Sequence, residues 1–316
     1  MGAIEIENLS KEYPFGFLHL RRKKSLEDLT MRVEDGEVFG FLGPNGAGKS
    51  TTIKLLMRLI FPSAGTARIL GKSIEDVSMH NSIGYLPEQP YFYDYLTAYE
   101  VLDYFARFHG LSAGDRAVRV QAMLKKVGLD TAKKIQLRKY SKGMLQRVGL
   151  AQAILHDPRV VVLDEPMSGL DPLGRREVRD IILELKREGR TVLFSTHVLS
   201  DAEMLCDRVG VIVGGKLRGT GAPNELVDVK AQGMEILFEL SGAAGDLPLL
   251  ARATRTGERY RVQLPETELY QSLDALKGAG ARILSVAQIK PTLEEYFMNL
   301  VEADRAQASA VEVSGK

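Results

Sequence analysis

The sequence predicts an α/β protein: a largely parallel sheet with covering helices, a helical insertion, and a small C-terminal α+β appendage. Three observations carry that prediction. Short β-type runs alternate with longer helical patterns from Glu37 to Val213, the order that builds a parallel sheet. A glycine-rich turn, Gly43–Thr51, separates the first of these strands from the first helix. From Tyr91 to Tyr140 the alternation stops and the pattern becomes almost wholly helical.

Strands are expected at Glu37–Leu42, Arg159–Leu163, Thr191–Ser195 and Arg208–Val213. The first helix should run from Gly48 to Leu59. A second opens at Thr97, where Thr97-Ala-Tyr-Glu100 reads as a capping box, with Val101, Leu102, Phe105 and Phe108 at helical spacing. A third follows Ser141 and ends before Pro158. A fourth starts at Pro172, a residue suited to the first helical position. Ser200-Asp-Ala-Glu203 offers another capping box. The domain expectation is 1–219 for the main body, with the insertion at about 91–157, then 220–305 for the appendage and a disordered tail at 306–316. Within the appendage, strands are expected at Met234–Leu240, Tyr260–Leu264 and Arg282–Val286, with helices at Glu266–Lys277 and from Thr292.

Composition excludes several classes. The 316 residues are 45% hydrophobic and 26% charged, with net charge +1. Nothing in that balance suggests a nucleic-acid partner. A single cysteine, Cys206, excludes an internal disulfide framework and a cysteine-rich zinc site. No run approaches the ~20 apolar residues that span a bilayer, and Met1-Gly-Ala-Ile-Glu5 lacks the basic start of a signal peptide. Any membrane role must come through a partner.

The strongest chemical signal is Gly43-Pro44-Asn45-Gly46-Ala47-Gly48-Lys49-Ser50-Thr51, a G-x-x-x-x-G-K-[ST] phosphate-binding loop. Glycines let the backbone approach phosphate oxygens. Successive amides form an anion-binding nest, and the following helix adds its positive end. Lys49 suits the β- and γ-phosphates, and the Ser50 hydroxyl suits Mg²⁺. A second signal is Val160-Val-Val-Leu163-Asp164-Glu165, an apolar strand ending in two carboxylates at the edge where α/β folds bind ligands. Asp164 is expected to hold Mg²⁺ and Glu165 to polarise the attacking water.

Further elements follow in order: Gly84-Tyr-Leu-Pro-Glu88-Gln89, Tyr140-Ser141-Lys142-Gly143-Met144-Leu-Gln-Arg147, Ser168-Gly169-Leu170-Asp171, and His197 after a strand. With the phosphate loop, these resemble the ATP-binding subunits of ABC transporters, over about Met1 to Gly219. The resemblance implies a P-loop NTPase core of ABC type with an antiparallel β subdomain. It implies Gln89 on Mg²⁺ or the attacking water, a family signature at Ser141 and Gly143, Asp171 in the D-loop, and His197 as the switch histidine. Tyr13 resembles the aromatic residue that stacks on adenine. The signature departs from the commonest Leu-Ser-Gly-Gly-Gln form at Tyr140, Lys142 and Met144.

The resemblance further implies ATP and Mg²⁺ as ligands and two chains enclosing two ATP molecules, most simply as a homodimer. It implies a separately encoded integral membrane permease, with this chain peripheral on the cytoplasmic face. Pro291-Thr-Leu-Glu-Glu-Tyr-Phe297 resembles the ending of ATPase subunits in ABC-2-type exporters. The rival reading is a soluble ABC ATPase acting on nucleic acid or ribosomes; one nucleotide domain and no sustained heptads argue against it. Arg21-Arg-Lys-Lys24 is read as a solvated hairpin tip, with anionic lipid as its alternative. The cluster Tyr91, Phe92, Tyr93, Tyr95 and Tyr99 suits either packing of the insertion or docking of the membrane subunit.

Overall fold

A computed structural model of the chain describes residues 2–15, 21–226, 233–240, 247–289 and 292–314. Compact packing divides the chain into residues 1–223 with 297–316, and residues 224–296. Pro291 of the exporter-like ending lies outside the described residues.

The first unit opens with two long strands, β1 (Ile4–Phe15) and β2 (Arg21–Val33). Then come β3 (Val38–Leu42), α1 (Lys49–Leu56), β4 (Ala64–Ile69), β5 (Lys72–Ser73) and β6 (Ile83–Leu86). The insertion supplies α2 (Ala98–Phe108), α3 (Ala113–Lys126) and α4 (Lys142–Ile154). The core resumes with β7 (Val160–Leu163), α5 (Pro172–Arg187), β8 (Thr191–Thr196), α6 (Leu199–Leu205), β9 (Arg208–Val213) and β10 (Lys216–Gly221). A six-stranded sheet has the order β10-β9-β3-β8-β7-β6. Strand β10 pairs antiparallel to β9 and the other pairs are parallel. Strands β2-β1-β4-β5 form a separate antiparallel sheet.

The central strands are buried on both faces, and their period of two divides the core. Val161 and Leu163 pack with Val192, Phe194 and the helices of the insertion and α5. Val160 and Val162 pack with Leu193, Phe39, Ile53 and the inner face of the antiparallel sheet. Each face removes large apolar side chains from water, the main favourable term in folding. The alternation therefore fixes the register of the site-bearing strand ends, because a one-residue slip would expose both faces.

The helix starts follow local chemistry. Thr97 and Glu100 form the expected capping box. Ser141 caps α4 by accepting from the Met144 amide at 3.2 Å. Asp171 caps α5 by accepting from the Gly174 amide at 2.9 Å, with Pro172 at the first helical turn. The expected box at Ser200–Glu203 is corrected: α6 starts after Val198, with no side-chain cap. The Val198 amide instead donates to the Thr196 hydroxyl at 3.0 Å, which starts the helix earlier and leaves Ser200 inside its first turn.

The second unit, with its flanks, contains α7 (Pro223–Leu226), β11 (Gly233–Glu239), β12 (Thr254–Thr256), β13 (Arg259–Leu264), α8 (Leu269–Gly278) and β14 (Arg282–Ile289). Its antiparallel sheet, β12-β13-β11-β14, buries Ile236, Phe238 and Val262 with Leu276 of α8. The last helix, α9, covers Leu293–Ser314. The segment from Ala306, expected to be disordered, is thus helical backbone through Ser314; its alanines are strong helix formers.

Candidate functional site

The phosphate loop joins β3 to α1. Gly48 has φ +111°, and a Cβ there would lie 2.7 Å from the Ser25 carbonyl oxygen. Only glycine combines that conformation with that approach. The loop is tied on both flanks. Gly215 donates its amide to the Ala47 carbonyl at 3.0 Å, and the Ser25 and Thr51 hydroxyls meet at 2.9 Å. Lys49 is buried, and its ammonium donates to the Gly43 carbonyl at 2.6 Å and the Pro44 carbonyl at 3.4 Å. A buried cation at a helix start, behind a glycine-rich loop, suits a polyanion.

The acids stand where β7 ends. Asp164 donates its amide to the Leu86 carbonyl at 2.8 Å, which fixes the strand end against β6. Its Oδ1 accepts from Ser50 at 3.2 Å and from Ser195 at 2.7 Å. Ser195 in turn accepts from the Glu165 amide at 2.8 Å, so one hydroxyl aligns both acids. Glu165 holds φ +47°, a costly conformation for a non-glycine residue and one that clusters at functional sites. Its Oε2 meets His197 Nδ1 at 2.9 Å, and its Oε1 forms an ion pair with Lys49 Nζ at 3.1 Å. That ion pair is not directed as a hydrogen bond, which leaves Oε1 buried without one. Tyr85, on β6, has its phenol pushed up to about 12, first by burial and then by the negative charge of Asp164.

Lys49, Glu165 and His197 line a cleft of about 350 Å³ with Ser25, Pro44, Asn45, Gly46, Gly48, Ser50, Thr51, Glu88 and Ser168. The structure therefore brings together the phosphate loop, Glu165 and His197 in one wall, with Asp164 hydrogen-bonded behind Ser50. Gln89 is exposed and outside that wall; its neighbour Glu88 lines it instead. Tyr13 is 38% exposed on β1, with the Lys11 ammonium 5.2 Å from its ring centre, and also stands outside the wall. Ser141, Gly143 and Asp171 sit at the starts of α4 and α5 and do not line the cleft. The sequence assigns no site role to Ser25 or Ser195, and it names Glu88 and Ser168 only within the motifs that carry Gln89 and Asp171. Ser195 carried one signal, its place two residues before His197 at the end of a buried strand.

Mg²⁺ fits the donor set. No group of three or more His, Cys, Asp or Glu among the described residues could hold a metal. Ser50 and Asp164 offer a hydroxyl and a carboxylate beside the loop, which suits an ion that takes its other ligands from phosphate and water.

The sequence profile of the ABC transporter family matches residues 26–168, from β2 through the phosphate loop and both acids to Ser168. A bacitracin transport ATP-binding protein, BcrA of Enterococcus faecalis, is 38% identical over 309 residues, 95% of this chain and 96% of that one. The chain belongs to the ATP-binding subunits of ABC transporters. An uncharacterized ABC transporter ATP-binding protein of Synechocystis is 43% identical over 298 residues, covering 94% of this subunit and 84% of its relative. A solved ATP-binding subunit of an ABC transporter superposes with TM-score 0.63 at 33% identity, over 71% of this chain and 91% of that one. The ABC subunit binds and hydrolyses ATP and powers transport through a membrane permease made as a separate chain. No helix among its described residues is long and apolar enough to cross a membrane.

Proposed function

We propose that two copies of this subunit enclose two ATP·Mg²⁺ at composite sites and drive export through the permease from the cytoplasmic face. Each ATP sits on the phosphate loop of one chain and faces Ser141 and Gly143 of the other. In this reading the loop amides and Lys49 bind the phosphates, and Tyr13 stacks on adenine. Ser50 and Asp164 hold Mg²⁺, which supplies charge neutralisation on the phosphates. Gln89 would contribute its side-chain oxygen to the metal or the attacking water and so link the site to the insertion. Asp171 fixes the D-loop beside the composite site.

The observation that carries the reading is Glu165, held by its backbone bond to Ser195 with one carboxylate oxygen on Lys49 and the other on His197. Bound phosphate competes for Lys49, and its departure from Glu165 frees that carboxylate to accept a proton from water. His197 is then placed to hold the attacked γ-phosphate. Export is supported by the bacitracin transport relative, aligned over nearly the whole chain.

Glu165→Gln tests the assignment. The amide keeps the shape and removes the proton acceptor, so turnover should fall about 10²–10⁴-fold, the usual contribution of a general base. ATP should still bind, and size-exclusion chromatography should show an ATP-dependent dimer. Turnover at the wild-type rate rules Glu165 out as the base.

A further inference from the structure

The C-terminal helix α9 reaches the back of the phosphate loop through one turn. Strands β9 and β10 are joined by Gly214 and Gly215, with φ +59° and +79°. Two successive residues of positive φ make the tight turn that matches the twist of a hairpin. This turn is gripped from two sides. A Cβ on Gly214 would come within 2.6 Å of Asp304 Oδ2, so the Asp304 carboxylate of α9 lies directly on the turn. The same carboxylate is ion-paired with Arg218 of β10, each side chain being about a quarter exposed (25% and 26%). On the other side, a Cβ on Gly215 would come within 2.9 Å of the Ser25 carbonyl oxygen.

From Gly215 the contacts run into the nucleotide cleft. Its amide donates to the Ala47 carbonyl within the phosphate loop at 3.0 Å, and its carbonyl accepts from the Glu27 amide at 2.9 Å. Ser25, held against this turn, bonds Thr51 at 2.9 Å and lies under Gly48. The loop is thus hydrogen-bonded at Ala47 to a turn that α9 holds in place.

We infer that Asp304 is a positioning residue for ATP binding: with Arg218 it clamps the Gly214–Gly215 turn, and the turn sets the conformation of the phosphate loop. The C-terminal helix thereby tunes nucleotide affinity without touching nucleotide. The inference rests on the phosphate-loop reading above. Charge alone gives the opposite sign, because removing a carboxylate near an anion site strengthens anion binding.

The test measures binding of a fluorescent ATP analogue, steady-state KM and kcat, and melting temperature for the full chain. The variants are Asp304→Ala, Arg218→Ala, the double substitution, and Lys49→Ala. Asp304→Ala should weaken the analogue about fivefold or more, the lower end of measured couplings between sites. Its KM should rise by a similar factor, with kcat at saturating ATP within about twofold. Arg218→Ala should reproduce the loss, and the double substitution should add little, since the two residues act as one clamp. Unchanged or tighter binding in Asp304→Ala overturns the inference, as does a fall in kcat that matches the rise in KM. A lower melting temperature with unchanged affinity also overturns it, because α9 is then only a structural brace. Lys49→Ala separates the two claims. If it binds normally, the phosphate-loop reading itself fails; if it loses binding while Asp304→Ala keeps it, only this inference fails.

Discussion

The phosphate loop and the signature helix α4 are built on opposite principles. Lys49, Asp164 and Glu165 are nearly inaccessible, at 5%, 3% and 7% exposure; Lys49 pairs with Glu165, Ser195 joins Glu165 to Asp164, and Ser50 and His197 bond the two acids from outside. At the start of α4, Ser141 and Lys142 are exposed, and the first turn carries no acidic residue. The phosphate-loop wall is therefore preorganised within the chain, whereas the start of α4 is open to solvent, with the Lys142 ammonium lying over Gly169. An assembled wall paired with an exposed complementary end is what a site shared between two chains requires.

The largest expected effect comes from breaking the preorganised half. Lys49→Ala removes a buried cation and leaves Glu165 without its ion-pair partner. Truncating a buried charge at a binding site typically costs about 2 kcal/mol or more, so ATP affinity should fall at least about 30-fold and turnover should be lost. Titration calorimetry on the purified variant checks this, and wild-type affinity would remove Lys49 from the site. His197→Ala should be next in size. Turnover should drop about 100-fold, as for loss of one transition-state donor, while the ATP dissociation constant stays within a few-fold. Equal losses in affinity and single-turnover rate would show that His197 acts in ground-state binding instead.

The smallest effect sharpens the comparison by probing a contact remote from both halves. His109, at the end of α2, stacks on His156 beyond α4 with ring centres 4.1 Å apart and planes at 3°. Burial, then the neighbouring His109, pushes His156 down to about 4; burial also lowers His109. The unfolded chain therefore takes up protons first as pH falls. Stability held above the ordinary histidine range is lost progressively from about pH 6.5 toward pH 4. The melting temperature should drop by about 2–4 °C between pH 7 and pH 5 from this pair, and the His156 share of that drop should vanish in His156→Asn. An identical pH profile in the variant would assign the acid sensitivity elsewhere.

The preorganised half was also the more legible one. The phosphate loop, the Asp164–Glu165 strand end and the caps at Thr97, Ser141 and Asp171 are local: a few adjacent residues determine each. Strands β1 and β2 were not delimited as elements, because their alternation is broken. The pair shifts register between Ile6 and Leu9, Leu9 and Lys11, and Lys11 and Glu12, with Asn8 and Asp28 at positive φ. Strand β6 is only four residues and contains Gly84, too short for a period to show. Ser195 could not be assigned because its importance lies in holding two residues 30 and 31 positions away. The choice between Glu88 and Gln89 at the cleft depends on how the chain turns after β6, which side-chain chemistry alone does not fix. In the second unit the strand–helix order anticipates β11, β13, α8 and β14 but not β12, three exposed residues at the sheet edge, and not the helical continuation of α9 past Ala306, since small polar residues suit both a helix and a free tail.

The central claim, that the exposed end of α4 completes the partner's cleft, is tested most directly by crosslinking between two differently substituted chains. Both carry Cys206→Ala and Glu165→Gln, so that the native thiol is gone and hydrolysis cannot separate the pair. One chain adds Ser141→Cys and the other adds Asn45→Cys, and the two are mixed and oxidised with and without ATP. The account predicts a disulfide-linked heterodimer that forms with ATP and is largely absent without it. No link between the two chains, or a link that forms equally well without ATP, would contradict it.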